Sequence, residues 1–522
     1  MAVPGRRGVD AAAGRLPAAA AGRQTPGTPA SPGRARPRPR IVGTIDGNLV
    51  RSLVLAVVAL GGLAPHDASA AAQGKDGGPA SPADEGEKGD EARPASPLDE
   101  GEERARSGWK LSASLNPAML AWDDGTRGIR FVDNAQDSSG ISLEGRFKLG
   151  QSWTAGVKFS LDTMYASSDS VDQRDRDGDG LAVELADALF EIGHEKWGTV
   201  VLGHGDSASD ETNNITLTGS DVVADAEVNN WNNNFFLRLA GTGLARGDGE
   251  GSAKLRWGDF LEGPLAGETG RFITYVTPEV MGLEAAVSVG QPEDIRFVKG
   301  RKWFEERTGG IFTDAGLRYS GNWGSVFRVK AGIGAWRDTT EEKNAEESTK
   351  DTGWGGSLAV MHVPTGLNIS LDYGTEGHAG RCAEPGAVTG KCPDDDRFVY
   401  VQGGIVHDFF KWGPTALYGE YYRGWMAQHE TDEDVLRTLE RKPGQAGELK
   451  SSVATMWGLG VVHTSKAAST RAYTTDLYLG YRHYGLDLNL IGASGSVPAR
   501  KVNDLDVIMA GVRIRWGDRG ND

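Results

Sequence analysis

The sequence predicts an all-β protein, a sixteen-stranded antiparallel β-barrel that spans a membrane, and three observations predict it. Apolar and polar residues alternate with period two through segments about ten residues long. The connections between these segments are by turns short and long. Gly, at 74 of 522 residues, is about twice as frequent as usual, while no run of apolar residues is long enough to cross a bilayer as a helix.

The chain reaches the barrel late. Residues 1–50 are rich in Ala, Pro and Arg and read as an unstructured leader. Residues 51–70 hold Arg51, an apolar run from Ser52 to Leu63 and the small-x-small site Ala68-Ser69-Ala70, which together read as a secretory signal. A leader of that length before a signal is unusual, so the expected start lies near Val50. Residues 71–108 form an acidic Pro/Ala/Glu-rich linker in which Pro79–Glu87 is echoed by Pro94–Glu102. With almost nothing apolar to bury, it is expected to stay disordered. Removing residues 1–70 takes away nine Arg and three Asp, so the formal charge of −16 becomes about −22. That charge, with no basic stripe, excludes nucleic acid as a partner.

Residues 109–516 carry the alternation. Trp109, Leu111, Ala113 and Leu115 interleave with Lys110, Ser112 and Ser114. Ile141, Leu143, Gly145, Phe147 and Leu149 interleave with Ser142, Glu144, Arg146 and Lys148, and Val157 and Leu479 likewise face lipid while Gly156, Lys158 and Gly480 face the lumen. On this parity an Arg is expected to be tolerated at Gly156 or Gly480. Seven short connections, such as Gly150-Gln151 and Pro364-Thr365-Gly366, take turns with eight long ones at 123–138, 163–186, 203–270, 291–313, 337–352, 374–397, 424–450 and 485–504. Fifteen connections make sixteen strands. An even number, with short periplasmic turns and long extracellular loops, is the pattern of an outer-membrane barrel, whose closure leaves no unpaired edge in lipid. Trp122, Trp153, Trp323, Trp336, Tyr400, Trp412, Trp457, Tyr473, Tyr484 and Trp516 lie near strand ends and are expected to form the interfacial girdles.

The third long connection is the exception. It runs for nearly seventy residues, far beyond ordinary loop length, and joins acids (Asp206, Asp210, Glu211, Asp221, Asp225, Glu227) to a cluster, Asn229–Asn234, containing Trp231, and an apolar return, Phe235-Phe236-Leu237. A solvated loop has no use for those aromatics, so this one is expected to fold into the lumen and narrow it.

Two further features concern chemistry. Asp175-Arg176-Asp177-Gly178-Asp179-Gly180 matches the first half of a calcium loop, making Asp175, Asp177 and Asp179 candidate Ca²⁺ ligands. The closing carboxylate of that motif would fall on Ala186, bracketed by Glu184 and Asp187, so any binding is expected to be weak; no other cofactor is expected. Cys382 and Cys392 share one loop of an exported protein and are expected to form a disulfide. A barrel hydrolase would need a paired nucleophile and base. His204 and Ser207 are close in sequence, but no nucleophile elbow surrounds them or Ser494, and the chain is not expected to be an enzyme.

Trp122-Asp123-Asp124-Gly125 after the Ser112 strand, Val132-Asp133-Asn134, Tyr275-Val276-Thr277-Pro278 and the closing Ala510–Ile514 strand resemble the general porins of alphaproteobacteria across 109–516. That resemblance implies a homotrimer of water-filled barrels in the outer membrane of a Gram-negative bacterium, in contact with lipid and lipopolysaccharide, built by the barrel assembly machinery and passing small hydrophilic solutes. It also implies a constriction in which carboxylates of the third loop face a basic wall. The matching acids are Asp206, Asp210 and Asp221; the matching bases are Arg146, Lys148 and Lys158. Such porins end on an aromatic residue, whereas Trp516 here is followed by the extension 517–522. The competing reading is a plugged structural or adhesin-type barrel.

Overall fold

The fold is known from a computed structural model, which describes residues 107–517 apart from 247–252, 262, 264, 299–300, 307–309, 341–348, 379–394, 428–431, 443 and 471–472. The expected leader, the expected signal, nearly all of the expected linker, Cys382 and Cys392, and the residues beyond Gly517 lie outside the described residues. No helix among those described is long and apolar enough to cross a membrane. Crossing is done by strands.

Sixteen antiparallel strands close on themselves. They are β1 (Gly108–Leu115, continued as Pro117–Asp123), β2 (Arg127–Asp133, then Gly140–Lys148), β3 (Trp153–Tyr165), β4 (Leu181–His194), β5 (Gly198–Asp206) and β6 (Thr269–Val276). Then come β7 (Leu283–Val298), β8 (Arg301–Glu306, then Ile311–Trp323), β9 (Phe327–Thr340), β10 (Thr349–His362) and β11 (Leu367–His378). The last five are β12 (Asp396–His407), β13 (Thr415–Met426), β14 (Glu448–Thr464), β15 (Tyr473–Gly492) and β16 (Gly495–Val497, then Leu505–Trp516). Closure is direct, since β1 pairs with β16 through Ala113↔Trp516 and Ala118↔Gly511. Every backbone row in the barrel thus finds a neighbour, as lipid demands.

The alternation sorts the faces as expected. Leu111, Leu143, Phe159, Phe190, Ile273, Val287, Leu317, Ile333, Leu358, Ile369, Leu417 and Leu459 all stand exposed on the outer surface, an apolar belt made for lipid. Of the aromatics expected in the girdles, Trp153, Trp323, Trp412, Trp457, Tyr473 and Trp516 are exposed. Trp122, Trp336, Tyr400 and Tyr484 are instead buried. Their strand parity points them inward, where they pack under the third loop; closeness to a strand end was the weaker signal.

The long connections are shorter than the sequence reading made them, because strands run past the belt. The chain turns tightly at 124–126 and returns as strand from Arg127, leaving 134–139 as an excursion within β2. β7 and β8 pair on through Glu293↔Glu306 to Val298↔Arg301, and β15 continues to Gly492. Outside the bilayer a strand needs no apolar face, so Glu293-Asp294-Ile295-Arg296 shows no outward alternation to read.

Candidate functional site

The third loop, 207–268, lies within the barrel, and the strand pairing explains why. β5 and β6 stop short at Asp206 and Thr269, which are register partners. Beyond them β4 pairs directly with β7, through Arg296↔Glu184 and Val298↔Ala182. The wall therefore closes over the two short strands, and the loop they carry leaves from inside it.

From there the loop follows a track of small residues around the wall. A Cβ at Gly332 of β9 would stand 2.5 Å from the Thr212 carbonyl oxygen, one at Gly404 of β12 would stand 2.6 Å from the Thr218 methyl, and one at Gly480 of β15 would stand 2.6 Å from the Trp231 ring. Gly332 lets the loop backbone come close, while Gly404 and Gly480 make room for the Thr218 and Trp231 side chains. The expectation that Gly480 tolerates Arg is therefore overturned: Gly480 does face inward, but Trp231 occupies the space. Gly156 meets only the flexible Glu191 side chain.

Polar wall residues tie the loop down in order. Asp314 of β8 accepts from Ser207 Oγ at 2.6 Å and from Ser209 N and Oγ at 2.6 and 2.7 Å. Ser357 of β10 donates to Thr212 O at 2.8 Å, and Asp372 of β11 accepts from Ile215 N at 3.1 Å. Gln402 of β12 accepts from Thr216 and Ser220 hydroxyls at 2.8 and 3.0 Å and donates to Ala224 O at 3.2 Å. Arg482 of β15 closes the series. Fully buried, it forms a double-pronged pair with Glu420, Nε–Oε1 2.8 Å and Nη2–Oε2 3.0 Å, lies 4.6 Å from the Trp231 ring centre and donates to Val228 O at 3.3 Å.

The second half of the loop builds an apolar body on one side of the lumen. Trp231, Phe235, Trp257 and Phe260 pack with Leu120, Trp122, Phe398, Tyr422, Tyr484 and Met509 of the wall, and with Leu436 and Leu439 from helix α1 (Glu433–Leu439) in the β13–β14 connection. Trp122 and Phe235 meet edge to face at 5.2 Å. The second loop, between β3 and β4, holds this body from the other flank: Ser168 Oγ donates to Asn230 O at 2.6 Å, Asn234 N to Asp169 O at 3.0 Å, and Gln173 and Phe236 exchange two bonds.

The charges gather on the side left open. Lys158 faces in from β3 but is already paired with Asp187 of β4 at 2.9 Å, keeping 35% exposure. Arg146 lies on the same inward row of β2, opposite Gly156. Lys148 ends its strand at the short-turn side, exposed, and is remote from the loop. Asp206 is the last residue of β5, on the wall rather than in the loop, and accepts from Thr269 Oγ1 at 2.9 Å. Asp210 lies on the loop, where its carbonyl accepts from Arg318 of β8. Asp221 is on the far side, 59% exposed and 3.9 Å from Arg513 of β16. Of the expected pairs of loop acid and wall base, Asp210 meets a base, but it is Arg318 of β8 rather than Arg146, Lys148 or Lys158. Lys158, Asp187 and Asp206 share one stretch of wall, and Asp221 belongs to a separate cluster with Arg513, Asp137 and Asp476.

Further acids, from strands β3 and β4 and from the loop, complete the ring. Glu184, Asp137, Asp187 and Asp206 all act on Asp162, and Asp187 acts on Asp206. A bulge opposite Ser160/Leu161 turns both Glu184 and Asp187 inward, although simple parity sends one of them out. From the loop, Glu211 and Glu227 act on Asp210, with Arg318 the opposing charge. Burial in the narrowed lumen, then repulsion from Asp206, raises the carboxyl pKa values of Asp210 and Glu211; burial likewise raises those of Asp225 and Glu227. Around this ring the bases Arg146, Lys158, Arg318, Lys330 and, beside Asp225, Arg482 are fewer than the acids Asp162, Glu184, Asp187, Asp206, Asp210, Glu211, Asp225 and Glu227.

Other sequence candidates separate. His204 Nε2 meets Leu185 O at 2.9 Å while Ser207 is engaged with Asp314, so the two take different partners. Asp175 caps its own turn, accepting from Asp177 N and Gly178 N at 3.0 and 3.2 Å; Asp175 and Asp177 are exposed, and Asp179 alone of the three turns toward the interior of its loop.

An even-numbered, closed antiparallel barrel with an apolar belt outside and charge within is the architecture of outer-membrane proteins of Gram-negative bacteria. The chain is an outer-membrane β-barrel. No family model and no curated protein matches the sequence. Solved structures similar in shape include the trimer form of OmpT from Vibrio cholerae, 14% identical with TM-score 0.43 over 78% of this chain and 99% of that one. OmpF of Salmonella typhi in complex with daunomycin is 11% identical with TM-score 0.40, over 78% and 98%. The outer membrane channel DcaP of Acinetobacter baumannii is 12% identical with TM-score 0.39, over 79% and 97%.

Proposed function

We propose that this barrel is a porin, a water-filled diffusion channel for small hydrophilic solutes, and that its constriction favours cations. The observation that carries the proposal is the one-sided lumen. The apolar body of loop 3 occupies the flank of β12 to β16 and β1, while Asp206, Glu211 and Lys158 keep solvent access on the opposite flank. A path bordered by more carboxylates than bases carries a negative potential, and at a protein surface each unit charge acts on an ion 4 Å away with about 4 kcal/mol. Membership in the alphaproteobacterial general porins, assembly as a homotrimer and export by the 51–70 signal belong to the same proposal and rest on the sequence resemblance.

The apolar body also favours a second reading, a plugged barrel. Purified protein added to a planar lipid bilayer separates the two: stepwise current increments are expected from a porin, and a bilayer that stays silent at high protein concentration contradicts the channel.

A further inference from the structure

Loop 2 runs from Ala166 to Gly180 and folds over an enclosed cavity of about 10 Å³, the room needed by one water molecule or one ion. Its lining includes Asp169 and Asp179, from opposite ends of the loop, with Ser167 and Ser170. Ser167 is 95% buried, being 5% exposed, and its hydroxyl has no partner among the described residues. An orphaned hydroxyl on the wall of a one-ion cavity that two aspartates also line is a donor set waiting for a hard cation. The charged and hydroxyl donors are all oxygen, which suits Ca²⁺, and the one soft group on the wall, the Met164 thioether, already accepts from Ser138 Oγ at 3.4 Å.

We propose that this cavity binds one calcium ion, held by the Asp169 and Asp179 carboxylates and the Ser167 hydroxyl, with water completing the shell. The site is not the run Asp175, Asp177, Asp179: Asp175 is spent on its own turn and Asp177 points to solvent. The ion joins the two ends of loop 2, and loop 2 in turn grips loop 3 through Ser168–Asn230, Asp169–Asn234 and Gln173–Phe236. Calcium is thereby a clamp on the element that shapes the lumen. The binding claim stands whether or not the barrel conducts.

Calcium titration of the purified full-length protein by calorimetry, with Tb³⁺ luminescence as a second probe, tests it. One ion per chain is expected, with a Kd on the order of 10⁻⁴–10⁻³ M as for external calcium modules. Asp169→Asn and Asp179→Asn should each weaken binding at least ~10-fold, Ser167→Ala by less, and the pair Asp175→Asn/Asp177→Asn should leave it unchanged. Each variant is first shown to be folded by its heat-modifiable migration. Should binding be lost in a folded Asp175→Asn/Asp177→Asn protein, or survive in a folded Asp169→Asn/Asp179→Asn protein, the cavity is not the site. A wild type that binds no calcium, or several ions without saturation, overturns the proposal outright. As a linked readout, calcium should slow proteolysis within loop 3 in the wild type and have no effect in Asp179→Asn.

Discussion

At the scale of single residues, Arg482 does the most to fix the lumen. It is a charge with no access to water, stabilised by Glu420, by the face of Trp231 and by a loop carbonyl. Arg482→Ala would leave Glu420 buried without its counter-ion, a loss of about 3–5 kcal/mol. The barrel wall, held by its ladders, should survive while loop 3 comes loose. Single-channel recordings should then show a larger, noisier conductance; an unchanged conductance would mean that the loop is held by its apolar packing alone. The acids of loop 3 make a second residue-scale prediction. Raised pKa values mean that Asp210, Glu211 and Glu227 take up protons at higher pH than ordinary carboxylates. The folded loop binds those protons more tightly than an unfolded one, so its stability rises as pH falls through the raised values and repulsion within the ring is relieved. Cation preference should weaken over the same range, in advance of the pH at which exposed carboxylates titrate. Reversal potentials measured from neutral to acid pH check this, and a preference that holds constant down to pH 4 contradicts it.

Among elements, loop 3 shows what was legible in the chain and what was not. Its length and its buried aromatics announced an inward fold, because Trp231 and Phe235 had to be covered by something. The path along the wall was not legible, since a glycine in a strand reads the same whether it faces lipid, a bulge or a second backbone. Gly332, Gly404 and Gly480 acquire meaning only from Thr212, Thr218 and Trp231 beside them. The acid ring was half legible. Lys158 and Arg146 followed from parity, but Glu184 and Asp187 face the same way only because the strand bulges between them. Gly332→Val should push Thr212 from the wall while leaving the outer belt intact, so folding yield should hold and conductance should change. Gly480→Arg should do worse, displacing Trp231 and impairing folding, where Gly156→Arg should be accommodated by Glu191. Equal folding yields for these last two variants, measured by heat-modifiable migration, would refute the track.

For the molecule as a whole, the turn-taking of short and long connections gives the strand number, and the alternation from Trp109 to Trp516 gives the orientation of the wall, because lipid on one side and water on the other leave no other period open. An Arg at the lipid-facing Val157 should cost ~2–4 kcal/mol and reduce assembly, whereas Gly156→Arg one residue away should assemble normally. Where the barrel rises beyond the bilayer that constraint vanishes, which is why the extended ends of β7, β8 and β15 were read as loop. On the proposed function a net charge of −16 does not set selectivity, because a permeating ion would meet the ring beside loop 3 rather than the whole surface. The reversal potential across a planar bilayer in a tenfold KCl gradient reads that ring most directly. A cation-selective potential, reduced when Asp206, Asp210 and Glu211 are replaced by their amides, is the result predicted here, and an anion-selective potential in the wild type would contradict it.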